Sequence, residues 1–372
     1  MKANICIDAR MLSASGIGTY LRNIIPFLIK KENIILVEKK EDIERHDWGS
    51  NVKIIGESTK IYSIKEQFKL PYKIPNCDLF WSPHYNVPIF PIKAKRRIVT
   101  IHDVFHFAFY NQLNLSQKMY AKIVMSAATR LSDKIITVSE FSKSEIVKYT
   151  GVDSNKINVI YNGIDTKKFS TIQNQEFLEN VRQKYRLSNQ FLLFVGNVKP
   201  HKNLHGLIKA FGLLKKHKKL EEFNLVIVGK KEGFITGDKE IERLINELSL
   251  EPFIKFTGFV MDNDLPAIYN LASALIFPSF YEGFGFPPIE AMACGCPVIA
   301  SNTASLPEVC GDAVLYVDPN KTEDIAQKIE LLLTNKSLID RLKEMGFQRV
   351  RQFTWEKCAA ETLKTIEEII GI

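Results

Sequence analysis

Short apolar runs alternate with longer stretches of helical periodicity along this 372-residue chain. A strand buried on both faces reads as continuous apolar residues, and a crossover helix shows one apolar stripe, so the alternation predicts parallel sheets with helices packed on both sides. In the first half the strand candidates are "NICIDA", "IILVE", "VKII", "DLFWSP", "RRIVTIHD", "KIITVS" and "INVIYNG", with helices predicted over 17–31, 116–131 and 140–149. The second half starts again with "FLLFVGN", "NLVIVG", "FIKFTG", "SALIFPS", "PVIAS" and "AVLYVD". Two similar α/β layers in series are therefore expected, which suits a chain longer than one hydrophobic core usually supports.

The polar stretch 171–189 between the two series reads as a linker, giving domains over 1–170 and 190–353. An amphipathic tail, 354–372, follows a complete second sheet and has to pack elsewhere. No solenoid-type repeat is present.

Composition changes this picture little. Apolar residues at 45% and charged residues at 25% are those of a folded globular protein. No apolar run reaches the roughly 20 residues of a membrane helix. Asp8 and Arg10 interrupt the start too early for a signal peptide, so a cytoplasmic location is expected. The cysteines at 6, 77, 294, 296, 310 and 358 show no C-x-x-C pair, which points to reduced, buried thiols and not to zinc or disulfides. The net charge of +8 would suit phosphate-bearing ligands or peripheral contact with an anionic membrane surface. Nucleic acid is not indicated, because no helix-turn-helix, zinc-finger or aromatic-basic RNA signature is found.

Open α/β sheets bind ligands beyond the carboxyl ends of their strands, so the residues that directly follow strands carry the candidate chemistry. After "ICID", Gly16 and Gly18 lead into a helix and could bring backbone N–H groups to a phosphate or sugar; a plain turn is the alternative. A dinucleotide fingerprint would need further glycines that are missing. After "RRIVTI", His102 and Asp103 sit where a polar pair reaches a ligand, with an imidazole expected to titrate in the useful range. The aromatic series Phe105, Phe107, Phe109, Tyr110 is either core or, beside Lys93, Lys95, Arg96 and Arg97, a surface for a lipid headgroup.

In the second half, "FVGNVKPHKNL" carries Gly196, Asn197, Lys199, His201 and Lys202 from a strand into a helix. Lysines at a helix start reinforce the dipole and make a diphosphate site. The later run "LLKKHKKLEE" reads as a solvated helix end. Gly229 to Lys231 follows another strand and is a weaker candidate for contact with a nucleotide.

The stretch "EGFGFPPIE" follows the strand "SALIFPS". Its Pro287 and Pro288 suit the first turn of a helix, whose free N–H groups would face the loop's ligand. Glu282 precedes the glycine loop and Glu290 is expected in that first turn, so both carboxylates could accept from sugar hydroxyls. Glycosidase acids would have to flank a bond from opposite sides, which two residues bracketing one loop do not suit.

These residues together resemble a family. The segment from "PSFYEGFGFPPIEAMACG" to "AVLYVDP" is similar to the donor site of retaining glycosyltransferases of family four, with the GT-B fold and an E-x7-E motif that Glu282 and Glu290 match. The likeness continues through "FVGNVKPHKNL", "TVSEFSKSEI", "HD" and "FTWEKCAAETL". It implies two Rossmann-like domains facing a cleft, an acceptor held by the first and a nucleotide diphosphate sugar by the second, with the tail 354–372 crossing back to the first.

By that resemblance Glu290 holds ribose, Glu282 the donor sugar, and the amides around Phe284, Gly285 and Phe286 touch sugar and phosphate. Lys202 neutralises the diphosphate, His102 lies near the transferred sugar, and the Gly16 and Gly18 loop closes on the phosphates. Many relatives have arginine where this chain has His201, or where it has Asn197; Lys199 could substitute as a point charge.

The implied activity is transfer of a hexose, mannose from GDP-mannose by preference and a UDP-hexose otherwise, to a lipid-linked glycan in polysaccharide synthesis. No cofactor and no metal are expected. A sugar-nucleotide epimerase, a dehydrogenase and a non-catalytic scaffold are the rival readings.

Overall fold

The computed structural model describes residues 2–14, 16–109, 114–229 and 239–371. Lys230, Lys231 and Tyr110, named above, lie outside the described residues. The chain divides into two units: 1–163 with 354–372, and 164–353.

In the first unit, β1 (Asn4–Asp8), β2 (Asn33–Val37), β3 (Lys53–Ile55), β4 (Cys77–Ser82), β5 (Ala94–Thr100), β6 (Lys134–Thr137) and β7 (Ile157–Val159) form one sheet. Its order is β3-β2-β1-β4-β5-β6-β7, with every pairing parallel. In the second unit, β8 (Phe191–Val195), β9 (Asn224–Val228), β10 (Ile254–Gly258), β11 (Ala274–Phe277), β12 (Val298–Ser301) and β13 (Leu315–Val317) pair in the order β10-β9-β8-β11-β12-β13, again parallel. Each predicted apolar run is one of these strands, because burial on both faces is what made it apolar. A parallel-sheet unit of this topology is what the resemblance implies for each half of the chain.

Helices follow the strands with sequence-encoded starts. Ser139 accepts from Ser142 N at the head of Glu140–Thr150, and Asn114 makes a capping box with Gln117 at the head of Leu115–Leu131. The helix Ile64–Lys73 was not among the predicted ones; its internal Pro71 disguises it, while Ser63 caps it by accepting from Glu66 N.

The linker expectation is corrected. Within 171–189 lies the helix Gln175–Tyr185, which buries Leu178 and Val181 and belongs to the second unit. Lys184 Nζ and Tyr185 Oη both donate to Asp264 Oδ2, at 2.7 and 2.8 Å. Two apolar residues three apart suffice to dock a helix that otherwise reads as polar. The tail forms the helix Trp355–Ile370 in the first unit, burying Trp355, Cys358 and Ile366, and Asn158 Nδ2 donates to Thr365 Oγ1 at 3.0 Å. All six cysteines are free and buried. Among the described residues, no helix is long and apolar enough to cross a membrane.

Candidate active site

Strand order reverses between β1 and β4 in one sheet and between β8 and β11 in the other. At such a switch point the connecting loops diverge to opposite faces and leave a crevice at the carboxyl ends. Most of the predicted site residues follow these strands.

In the second unit, β8 is wholly buried and ends at Val195, after which Gly196, Asn197 and Lys199 are half-buried. A single turn, Pro200–Lys202, precedes the helix Leu204–Lys216, capped by Asn203 through Gly206 N. Beyond β11 runs the loop 278–285. Phe280 N donates to the carbonyl of His201 at 2.8 Å, joining the two loops. Lys202 Nζ then meets Glu282 Oε1 at 2.5 Å and lies 5.2 Å from the centre of the Phe277 ring. Both side chains keep some exposure, 17% and 11%. Two of the predicted catalytic residues thus form one ion pair that spans the switch point and can still be reached from solvent.

His201 differs from what its place in the motif implied. Burial pulls its imidazole down to about 3, with Lys202 and Lys199 opposing a further positive charge. The ring is neutral near pH 7 and brings no charge to a phosphate. Of the two candidates to replace the family's arginine, His201 is therefore unsuited to supply the charge.

The glycine loop is built for close approach. Gly285 has φ +90°, and a Cβ there would sit 2.8 Å from Leu306 Cδ2. It caps the helix Phe286–Ala293. Two expectations for this helix are corrected. Pro287 and Pro288 are its second and third residues and carry no N–H, so of the first three positions only Phe286 can donate. Glu290 is the fifth residue, one turn further in than expected.

Phe284 is buried, edge-on to Phe286 and Phe353 at 5.5 and 5.6 Å between ring centres, so its side chain is packing. Glu290 Oε2 accepts from Tyr269 Oη at 2.8 Å. Burial pushes this carboxyl up to about 7, against the lowering influence of the Tyr269 hydrogen bond and Lys168.

Sequence reasoning missed the residues that hold this loop. Ser301 Oγ donates to the Ser279 carbonyl, Thr303 Oγ1 to that of Ser279 at 3.2 Å, and Ser305 Oγ to that of Glu282 at 2.9 Å. Three hydroxyls at alternate positions from the end of β12 fix the backbone carrying Glu282. Their spacing just after a strand was the available signal. By contrast Lys215, in the run set aside as a helix end, donates to the carbonyls of Glu221 and Phe223 at 2.7 and 2.6 Å.

In the first unit, Gly16 is the exposed first residue of the helix Gly16–Lys31. Gly18 is buried, and a Cβ there would fall 2.4 Å from the Leu12 carbonyl, so the loop's own backbone demands a glycine. Tyr20 of the same helix packs edge-on against His102 at 5.1 Å. His102 Nε2 lies 3.0 Å from the Pro83 carbonyl. A carbonyl only accepts, so that bond requires Nε2–H and presents Nδ1 as an acceptor.

Burial pulls this imidazole down to about 4, with Asp103 and the Pro83 bond opposing. The expectation that it titrates near neutrality is corrected. The ring is suited to accept a hydrogen bond from a hydroxyl and unsuited to deliver a proton at pH 7. Asp103 Oδ1 accepts from Phe105 N at 3.0 Å and shapes the turn.

A charged cluster not foreseen lies at the end of β1. Arg10 meets Asp8 at 2.6 Å and Glu66 at 2.5 Å, with all three side chains at most 3% exposed. His84 Nε2 is 3.7 Å from Asp8, and Asn86 Nδ2 donates to Glu66 at 2.7 Å. Burial alone would raise the Asp8 carboxyl, but Arg10 and His84 hold it well below the usual range. Asp8 is the last residue of β1 and His84 lies two residues beyond β4, positions that could have flagged them. Among the described residues no three His, Cys, Asp or Glu side chains gather as a metal site.

Comparison with known proteins agrees with this architecture. Residues 178–349 match glycosyl transferases group 1, and residues 14–168 match glycosyltransferase family 4. The O-antigen chain mannosyltransferase B of Escherichia coli is 34% identical over 282 residues, 75% of this chain and 72% of that protein. The serotype-specific mannosyltransferase WbdA of Escherichia coli is 32% identical over 229 residues, 61% of this chain but 28% of that longer protein. The structure of Anabaena HepE with UDP-glucose superposes with a TM-score of 0.81 at 18% identity, over 98% of this chain and 100% of that one, a likeness of fold.

Two Rossmann-like units with these family matches define a GT-B glycosyltransferase. The chain belongs to the glycosyltransferases of group 1 and family 4 and is an enzyme of that class.

Proposed function

We propose that this glycosyltransferase moves mannose from GDP-mannose to a lipid-linked glycan during polysaccharide synthesis, with retention at the anomeric carbon and without a metal. The donor sugar is argued from the mannosyltransferases it is similar to. The observation that carries the donor site is the Lys202–Glu282 pair, set at the switch point by the loops after β8 and β11.

Departure of a nucleoside diphosphate concentrates charge on the β-phosphate, and preorganised cations are the efficient way to meet it. In this reading the phosphate replaces Glu282 as the partner of Lys202, Lys199 adds a second charge, and the released Glu282 accepts from hydroxyls of the sugar. The amide of Phe286 is a further donor. Glu290, held by Tyr269, accepts from ribose. Attack comes from the face of the leaving group, with the phosphate oxygen taking the acceptor's proton. His102 Nδ1 accepts from a substrate hydroxyl.

The test is a thermal-shift screen against GDP, UDP, ADP and their sugars, run with a chelator present and followed by product analysis on a glycan acceptor. GDP and GDP-mannose should raise the melting temperature most, and the product should be an α-mannoside. A shift with UDP-hexoses alone would move the donor to that class. A strict requirement for divalent metal, or no shift with any sugar nucleotide, would overturn the reading.

A further inference from the structure

The helix Ile64–Lys73 wears two parallel stripes. Ile64, Phe68 and Tyr72, each four residues apart, are 76%, 55% and 86% exposed, and the Phe90 ring lies tilted against that of Phe68 with centres 5.0 Å apart. Next to them Lys65, Lys69 and Lys73 form a second exposed row at the same spacing. Large apolar side chains in such a row are costly to leave in water unless something covers them.

The helix cannot roll to bury them. Its opposite face holds Glu66, whose carboxylate is bound to Arg10, to Asn86 and, through Oε2, to Tyr62 N at 2.8 Å, beside buried Leu70 and Pro71. Against this helix lies an open groove of about 760 Å³, where Lys39 and Lys40 face Lys69, Lys73 and Tyr72. The carboxylate of Glu57 on its wall is already bound by Ser58 N, Thr59 N and Thr59 Oγ1, at 2.9, 2.7 and 2.5 Å; Glu41 also contributes to the lining.

A neighbouring helix repeats the pattern. On Leu115–Leu131, Leu115, Met119 and Ile123 are exposed at four-residue spacing, with Lys122 beside them. Its Tyr120 Oη donates to Asn86 at 2.6 Å, the same Asn86 that binds Glu66.

We propose that this face of the first unit docks on an anionic lipid bilayer, with Ile64, Phe68 and Tyr72 entering the headgroup boundary and the lysines of helix and groove meeting lipid phosphates. An apolar row flanked by cations is the pattern of a helix lying in the interface, where apolar burial and attraction to anionic lipid act together. A protein partner would have to supply both a greasy strip and an acidic one at the same spacing, whereas an anionic bilayer offers the two chemistries at fixed depths. The proposal deepens the lipid-linked acceptor reading by giving the enzyme a way to reach such an acceptor.

The experiment is co-sedimentation of the full chain with phosphatidylcholine vesicles, with and without phosphatidylglycerol, in the absence of any sugar nucleotide. The wild type should partition onto the anionic vesicles only, less so as salt rises. The triple change Lys65→Glu, Lys69→Glu, Lys73→Glu should lower partitioning roughly tenfold or more, and Phe68→Ser with Tyr72→Ser should also abolish stable binding. Both variants change exposed side chains, so their melting temperatures and turnover on a soluble acceptor should match the wild type.

The control Lys216→Glu, Lys218→Glu, Lys219→Glu removes equal charge from the second unit and should bind normally. Equal loss in that control, wild-type binding by the first two variants, or a dimer that the Phe68 and Tyr72 changes dissociate with no vesicle binding, would each overturn the proposal. Since no donor is present, its failure leaves the donor site standing, and a failed nucleotide screen leaves this test intact.

Discussion

The two sheets share one winding, yet the loops at their switch points hold charge in opposite ways. At the end of β1, Arg10 is sealed between Asp8 and Glu66, with His84 and Asn86 completing the set. At the ends of β8 and β11, Lys202 and Glu282 make a single pair that solvent still reaches. A sealed ion cluster cannot exchange partners without leaving a bare charge in the interior, so its role is to fix the frame. A pair that keeps some exposure, 17% and 11% here, can give up one partner to a ligand with solvent at hand to screen the other. The difference teaches that burial, more than charge or position after a strand, decides whether an ion pair stays open to exchange of partners.

Arg10→Ala should break this comparison most severely if it is wrong. The change leaves Asp8 and Glu66 buried without their cation and should cost about 3–5 kcal/mol of stability in the first unit. Denaturant unfolding followed through Trp81, which lies wholly buried in β4, reports on that unit. A loss within about 0.5 kcal/mol, typical of a surface substitution, would put the cluster in the same class as the Lys202 pair.

Lys202→Ala should show the reverse pattern. Stability should change by about 1 kcal/mol or less, since the pair is partly exposed. Turnover should fall about 10²–10³-fold, the usual loss on removing one preorganised donor to a developing anion. Lys216→Ala, at the exposed end of its helix, should alter neither. Equal turnover by the two variants would remove Lys202 from the donor site.

The strands were legible because a parallel strand buried on both faces carries its own signature, from "NICID" to "LYV". The helix Gln175–Tyr185 was not, since only Leu178 and Val181 mark it as docked. Sequence position pointed to Glu282 and Lys202 separately, and the structure brings the two side chains together, whereas Glu290 lies a turn deeper in its helix than its spacing suggested. What could not be read were relations across the sequence: Glu66, 56 residues from Arg10, has no local mark of an ion-pair partner. The lowered His102 and His201 and the raised Glu290 were equally hidden, because burial is a property of the packed unit and not of the tripeptide around a residue.

Glu290 supplies the smallest effect and the one with the most discriminating sign. Its carboxyl is pushed up to about 7 by burial, above the value it has in an unfolded chain. The folded protein therefore holds that proton more tightly than the unfolded chain does. The stability this confers is present at low pH and is lost as pH rises through about 7.

Ribose binding has the opposite dependence, since only the ionised carboxylate accepts from both hydroxyls. Affinity for a sugar nucleotide, whose diphosphate does not itself titrate in this range, should rise roughly tenfold from about pH 6 to about pH 8. From about pH 4.5 to about pH 7 the ligand-free protein should lose the contribution of this group to its melting temperature. Glu290→Gln should flatten both profiles, a paired outcome that a residue serving only as a helix-end charge would not produce. An affinity profile unchanged by Glu290→Gln would take the ribose role away from this residue.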